Sequence, residues 1–239
     1  MDPKEQPGSS SLRQPDYWWH RARAELLQVV FGPFLGTPRR TLDVGSADAP
    51  SVAWMRGEHT HVMLDLFPDG LLPGEGVCGS AMALPFVDEA FDVVAAFDVV
   101  EHCEDDTVAV SELARVLAPG GRMMLSVPAY QWAWSDHDVL AGHHRRYTTR
   151  RLDRLVEGAG LTVARSTYAF AAVFPLFLAE RAHRRFRGSA AQSDSRLPPV
   201  SPRADRILMG LSGLDRRLLR KTNLPFGSSV FMAAVKPEH

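Results

Sequence analysis

The chain has 239 residues, 45% hydrophobic and 23% charged, enough to bury the core of one α/β domain with insertions. Two cysteines, Cys78 and Cys103, exclude a disulfide framework, and no stretch reaches the ~20 apolar residues of a membrane span, so a cytoplasmic protein that is not secreted is expected. The net charge of −1 hides a division: residues 1–142 carry 9 basic and 21 acidic side chains, residues 143–239 carry 18 and 7, which points the second half toward an anionic partner.

Residues 1–13 are polar and rich in Pro and Ser and are expected to form a disordered tail. From Asp16, an N-cap candidate, the spacing of Trp18, Leu26 and Val29 or Val30 predicts a helix that stops at Gly32-Pro33. Strands and helices then alternate. Thr41–Gly45 is the first strand, Pro50–Gly57 a short helix, His61–Leu66 a second strand ending on an acid, Val77–Ser80 a third and Phe91–Phe97 a fourth. Asp106 is the expected cap of a helix bearing Val110, Leu113, Val116 and Leu117 on one face, closed by Pro119-Gly120-Gly121. Arg122–Val127 is a fifth strand, Thr149–Glu157 a helix closed by Gly158 and Gly160, and Leu161–Tyr168 a sixth strand. Strands separated by helices at this spacing imply a doubly wound, mostly parallel sheet. A last strand-like run, Ser228–Val235, follows a gap too long for one loop. The gap holds an apolar run, Ala169–Ala179, a basic segment to Arg187, a Ser/Pro/Gln linker from Gly188 to Arg203, and a second amphipathic helix, Ala204–Lys221.

The stretch Thr41-Leu42-Asp43-Val44-Gly45-Ser46-Ala47-Asp48-Ala49 is a buried strand running into a small-residue turn. Such a turn lets a ligand approach the main chain, and Asp65, about 20 residues on at a strand end, is placed to accept the hydroxyls of a ribose. Further motifs follow in order: Gly79-Ser80-Ala81-Met82-Ala83-Leu84-Pro85-Phe86, Phe91-Asp92-Val93-Val94, Asp98-Val99-Val100-Glu101-His102, and Glu112-Leu113-x-Arg115-Val116-Leu117-x-Pro119-Gly120-Gly121.

A second constellation follows the fifth strand: Tyr130, Trp132, Trp134, Asp136, His137, Asp138, His143, His144, Arg145, Arg146 and Tyr147. It emerges at the carboxyl edge of the sheet, where doubly wound folds bind ligands, and no core requires so many polar groups. His137, His143 and His144 are candidate bases, with Asp136 or Asp138 orienting one of them. Tyr130, Trp134 and Tyr147 are candidate substrate contacts, and Arg145 and Arg146 candidate clamps for a phosphate or carboxylate. The structural alternative is that the aromatics cover the sheet edge while the acids and arginines pair with one another. No metal is expected, because the run lacks cysteine and a compact His-x3-His spacing.

Taken together, the motifs from Thr41 to Val127 resemble those of the class I S-adenosylmethionine-dependent methyltransferases, on the small-molecule, ubiquinone/menaquinone-type branch. The resemblance implies a Rossmann-like seven-stranded sheet whose last strand is antiparallel. It also implies S-adenosylmethionine as cofactor, with Asp43, Gly45, Ser46 and Ala47 around the methionine moiety, Asp65 on the ribose and Leu66 flanking the adenine. Ser80 and Ala81 would lie at the adenine edge, and Asp98 and His102 beside the reacting methyl. Where the family favours glycine, the turn has Ala47 and Ala49, so a non-catalytic binding or scaffold protein is the alternative. The Pro-Ala-Tyr to Arg-Arg-Tyr segment looks like a bacterial subgroup associated with cell-envelope glycan or lipid-linked metabolism. The expected acceptor is a small or lipid-linked, anionic metabolite; nucleic acid is disfavoured for want of an Asn/Asp-Pro-Pro-Tyr/Phe motif. The expected methyltransferase domain is 14–168 with 224–239. Residues 169–223 form a helical insertion that serves as a lid, a homodimer contact or a peripheral membrane element.

Overall fold

The computed structural model describes residues 16–46, 54–56, 58–67, 71, 76–187 and 199–238, and within α5 below the side chains only up to residue 182. The tail 1–13, most of the expected helix 50–57, and 188–198 of the linker lie outside them. In chain order the elements are α1 (Trp18–Leu35), β1 (Arg40–Val44), β2 (Thr60–Asp65), β3 (Gly76–Cys78), β4 (Phe91–Phe97), α2 (Asp106–Val116), β5 (Leu117–Pro128), α3 (Asp136–Leu140), α4 (Thr149–Gly158), β6 (Thr162–Ala169), α5 (Phe174–Arg187), α6 (Pro202–Leu219) and β7 (Ser229–Val235).

The seven strands form one doubly wound sheet in the order β3-β2-β1-β4-β5-β7-β6. Neighbours from β3 to β5 are parallel, whereas β7 runs antiparallel to both β5 and β6. The expected antiparallel last strand is therefore present, inserted between the fifth and the sixth. Strands β4 and β7 are buried almost end to end, as central strands covered on both faces must be. Phe31 of α1 joins the layers, with its ring 5.5 Å from Phe97 on β4 and 5.7 Å from Phe231 on β7.

Three boundaries differ from expectation for local reasons. α1 passes through Pro33 to Leu35, because a proline in the last turn forfeits only one helical hydrogen bond while Phe34 and Leu35 gain core contacts. The cap of α2 is Asp105, whose carboxylate accepts from the N–H groups of Thr107 and Val108; Asp106 is the first helical residue. β5 begins at Leu117 and takes Pro119-Gly120-Gly121 into the strand, with Gly120 at φ +71° and Gly121 accepting from Lys236 N.

α1 also carries the helical insertion. Arg21 pairs with Asp205 and Arg216 with Glu25, joining α1 to α6. Buried Asp215 accepts from Ala172 N at 3.0 Å, fixing the bend between β6 and α5. Among the described residues no helix is long and apolar enough to cross a membrane.

Candidate functional site

The carboxyl ends of β1, β2 and β4 open onto one edge of the sheet, and the expected donor-side residues collect there. Gly45, just beyond β1, has φ +74° and donates to Leu64 O at 2.7 Å. A Cβ at Gly45 would stand 2.3 Å from Val99 Cγ2, so both the backbone and the space around it favour glycine. Asp43 and Ser46 are buried beside it, and the Ser46 hydroxyl has no hydrogen-bond partner among the described residues. Ala47 and Ala49 fall outside the described residues. Asp65 closes β2, its Oδ1 accepting from Phe67 N at 3.0 Å, and the next two side chains, Leu66 and Phe67, are exposed. Gly79 N donates to Asp65 O, and the Ser80 hydroxyl accepts from Met82 N at 3.1 Å, with Ala81 half-buried in the same turn.

This rim is braced from α2. Glu112 accepts from Leu84 N, while Arg115 donates to Glu112, to the carbonyls of Leu84 and Phe86, and to Asp88. The Glu-x-x-Arg motif thus holds the Leu84-Pro85-Phe86 segment in place.

Asp98 follows β4 with φ +58°, a conformation that costs of order 1 kcal/mol or more outside glycine. It is held on three sides: its N–H donates to Ser126 O, its Oδ1 accepts from the Ser126 hydroxyl at 3.1 Å, and its Oδ2 accepts from Arg23 Nε at 2.7 Å. Arg23 comes from α1, is buried, and lies over the Trp19 ring. Sequence reasoning missed Arg23; the only signal was a basic residue on the face of a helix destined for the core, which must find a carboxylate.

The polar segment after β5 is organised by Asp138. This carboxylate is fully buried and accepts from Arg146 Nε at 2.7 Å, Arg146 Nη2 at 3.0 Å and Ser135 N at 2.8 Å, with His143 Nδ1 2.9 Å away. Burial pushes the carboxyl up, but the His143 and Arg146 hydrogen bonds outweigh it and hold Asp138 well below the usual carboxylate range. His143 meets His102 edge-on, with ring centroids 4.6 Å apart. Glu101, one residue earlier, is buried, and its carbonyl accepts from His144 N. Burial and then the charge of Asp98 push its carboxyl well up. The expected residues separate here. Asp136, His137 and His144 are exposed, whereas His143 is brought against Asp138 and His102.

The expected substrate contacts are placed unequally. Tyr130, at φ +63°, stacks on Trp132 and on Tyr168, each at 5.2 Å, and burial with the Tyr168 hydrogen bond pushes its hydroxyl up to about 12. Trp134 is half-buried. Arg146 is spent on Asp138 and on the Ala129 carbonyl; Tyr147 is buried and donates its hydroxyl to Asp106 Oδ2 at 3.0 Å; Arg145 pairs with Asp106 Oδ1 at 3.1 Å. Tyr147 and Arg145 therefore brace the segment against α2, while Arg146 ties α3 to the end of β5, the pairing alternative raised by the composition of the run.

Residues 42–125 match the family model described as "Methyltransferase domain". The demethylmenaquinone methyltransferase of Mycolicibacterium paratuberculosis is 26% identical over 151 residues, covering 61% of this chain and 61% of that protein. The chain thus spans about three-fifths of the length of the curated relatives it matches. Among solved structures, the N-methyltransferase NodS from Bradyrhizobium japonicum, in complex with S-adenosyl-L-homocysteine, superposes with a TM-score of 0.58 at 13% identity, covering 98% of this chain and 96% of that one. The cyclase SpnF superposes at 0.60 with 19% identity, covering 92% and 83%. At these identities the structures establish the fold alone.

Proposed function

We propose, for a chain whose residues 42–125 belong to the methyltransferase-domain family, that it transfers a methyl group from S-adenosylmethionine to an O, N or C nucleophile of a small or lipid-linked, anionic acceptor. The observation that carries this reading is the Gly45 turn, where a side chain would be strained, set beside the buried Ser46 hydroxyl, without a hydrogen-bond partner among the described residues, and the Asp65 strand end. The residues fit the cofactor: the turn offers main-chain approach to the methionine part, Asp65 can accept the ribose hydroxyls, and exposed Leu66 and Phe67 offer apolar faces for the adenine. Bound there, S-adenosylmethionine supplies a sulfonium methyl that is open to in-line displacement.

The chain's own contribution is then positional. Arg23 and Ser126 lock Asp98 at the junction of the two halves. Asp138 fixes the His143 ring through Nδ1 and leaves Nε2 to take the acceptor's proton, the role of an oriented general base. Residues 14–168 and 224–239 form the catalytic unit in this reading, and the insertion 169–223, with Leu176 and Leu178 exposed on α5, is the element that meets a lipid-linked acceptor or the surface carrying it.

Incubation of the protein with methyl-labelled S-adenosylmethionine and small-molecule and lipid extracts of its source tests the proposal. Label should appear in an organic acceptor. Binding of S-adenosylhomocysteine with no label transferred to any fraction would overturn methyl transfer in favour of a non-catalytic S-adenosylmethionine-binding or scaffold protein.

A further inference from the structure

We propose that Glu101, His102 and His143 form a binding site for a divalent transition-metal ion on the acceptor side of the sheet edge. A carboxylate oxygen of Glu101 and one ring nitrogen from each histidine all lie within 4.8 Å of one another. Around a tetrahedral ion with bonds of about 2.1 Å the donors stand roughly 3.4 Å apart, so side-chain rotations that draw the atoms together by about 1 Å close the set.

Three further observations make the cluster more than a chance meeting. Glu101 is buried, and its Oε2 has no hydrogen-bond partner among the described residues, a costly state that an ion would relieve. His143 presents Nδ1 to Asp138 at 2.9 Å, and Asp138 is itself clamped by Arg146 and Ser135. His102 packs edge-on against the His143 ring, with centroids 4.6 Å apart. The carboxylate behind the His143 imidazole is the outer partner that fixes the tautomer and aim of a metal-bound histidine. The backbone bond from His144 N to Glu101 O ties the two halves of the site together across the segment.

The donor set also selects the ion. Two imidazoles and one carboxylate suit Zn²⁺, Co²⁺ or Fe²⁺ better than Mg²⁺ or Ca²⁺. Three protein ligands, with His102 exposed, leave positions for an outside oxygen, the pattern of a working rather than a purely structural ion. An ion on His143 Nε2 takes the lone pair assigned above to the base. The loaded chain would then activate an acceptor hydroxyl by coordination, its proton leaving to solvent. Metal binding itself does not depend on the methyl-transfer reading.

The test is calorimetry of the chelator-stripped full chain with Zn²⁺, on wild type, His102→Gln and His143→Gln. One ion per chain at micromolar affinity or tighter is expected, weakened at least tenfold in each variant, with a thermal shift on Zn²⁺ addition in the wild type alone. A visible Co²⁺ ligand-field spectrum of the wild type, lost in His102→Gln, supplies a readout should His143→Gln fold poorly. Absence of stoichiometric binding, or equal affinity in wild type and both variants as other surface histidines would give, overturns the proposal.

Discussion

Arg146 and Asp138 are joined twice, Nε to Oδ1 at 2.7 Å and Nη2 to Oδ2 at 3.0 Å, with both side chains buried. A guanidinium fork closed on a carboxylate out of water makes each charge depend on the other. Arg146→Met should cost about 3–5 kcal/mol in urea unfolding, because it strands the Asp138 charge. Arg146→Lys should restore only part, since an ammonium cannot fork. A midpoint within experimental scatter of wild type for Arg146→Met would show that the pair holds nothing together.

Asp138→Asn keeps the outline of the clamp but removes the negative charge behind both His143 and buried Arg146, so it should also lower the unfolding midpoint, and activity is compared well below that midpoint. In a methyl-transfer assay kcat should fall by tenfold or more with KM little changed, since the His143 ring is oriented less well while the acceptor surface persists. A KM effect alone would place His143 in binding rather than in proton transfer.

Gly45→Ala meets two obstacles, the positive φ and Val99 Cγ2 at 2.3 Å. Stability should drop by about 1–3 kcal/mol and S-adenosylhomocysteine affinity by tenfold or more. Adding Val99→Ala removes the collision and leaves the φ penalty, so the double variant should recover stability partially. Full recovery would mean that the turn tolerates alanine.

Asp65 lies half-buried at the end of β2 with one oxygen on Phe67 N. Asp65→Ala should weaken S-adenosylhomocysteine at least tenfold by calorimetry while moving the melting temperature by only a few degrees. Unchanged affinity removes the ribose assignment.

Glu112 gives a pH signature. The Arg115 hydrogen bond, against burial and with help from Leu84 N, lowers its carboxyl below the ordinary value of 4.5. With the folded value below the unfolded one, its contribution is complete above that ordinary value and is lost as pH falls through the folded value. The stability difference between wild type and Glu112→Gln should therefore be constant near neutrality and shrink in acid. A difference independent of pH would assign the effect to packing.

Much of the fold was legible because its signals are local. The apolar runs of β1, β2, β4 and β7 and the faces of α2 and α4 stand in sequence windows of fewer than a dozen residues. The Gly45 turn and Asp65 were legible for the same reason, a strand end followed by small residues or an acid. What escaped the sequence reading is set by partners far along the chain. Arg23 reaches Asp98 across 75 positions, and Tyr147 reaches Asp106 across 41, so no window reveals that one is a brace and the other a buried donor. The Asp105 cap was missed by one residue because adjacent aspartates compete for the same role and only backbone geometry separates them. Within the run 136–146, composition marked a polar cluster, but only the folded chain distinguishes His143, packed on Asp138, from the exposed His137 and His144.

The place of β7 has a consequence for how the molecule is made. It lies between β5 and β6 yet follows both in the chain, so both of those strands present bare edges until the ribosome has delivered residues 229–235. Phe231, part of the Phe31 stack, arrives with it. During synthesis the half-sheet from β3 to β5 can assemble early, whereas β6 must wait for a neighbour translated some 60 residues later, a long-range and therefore slow closure. An interruption of translation in α6 would release a chain with two sticky strand edges, the species that chaperones and proteases must meet first.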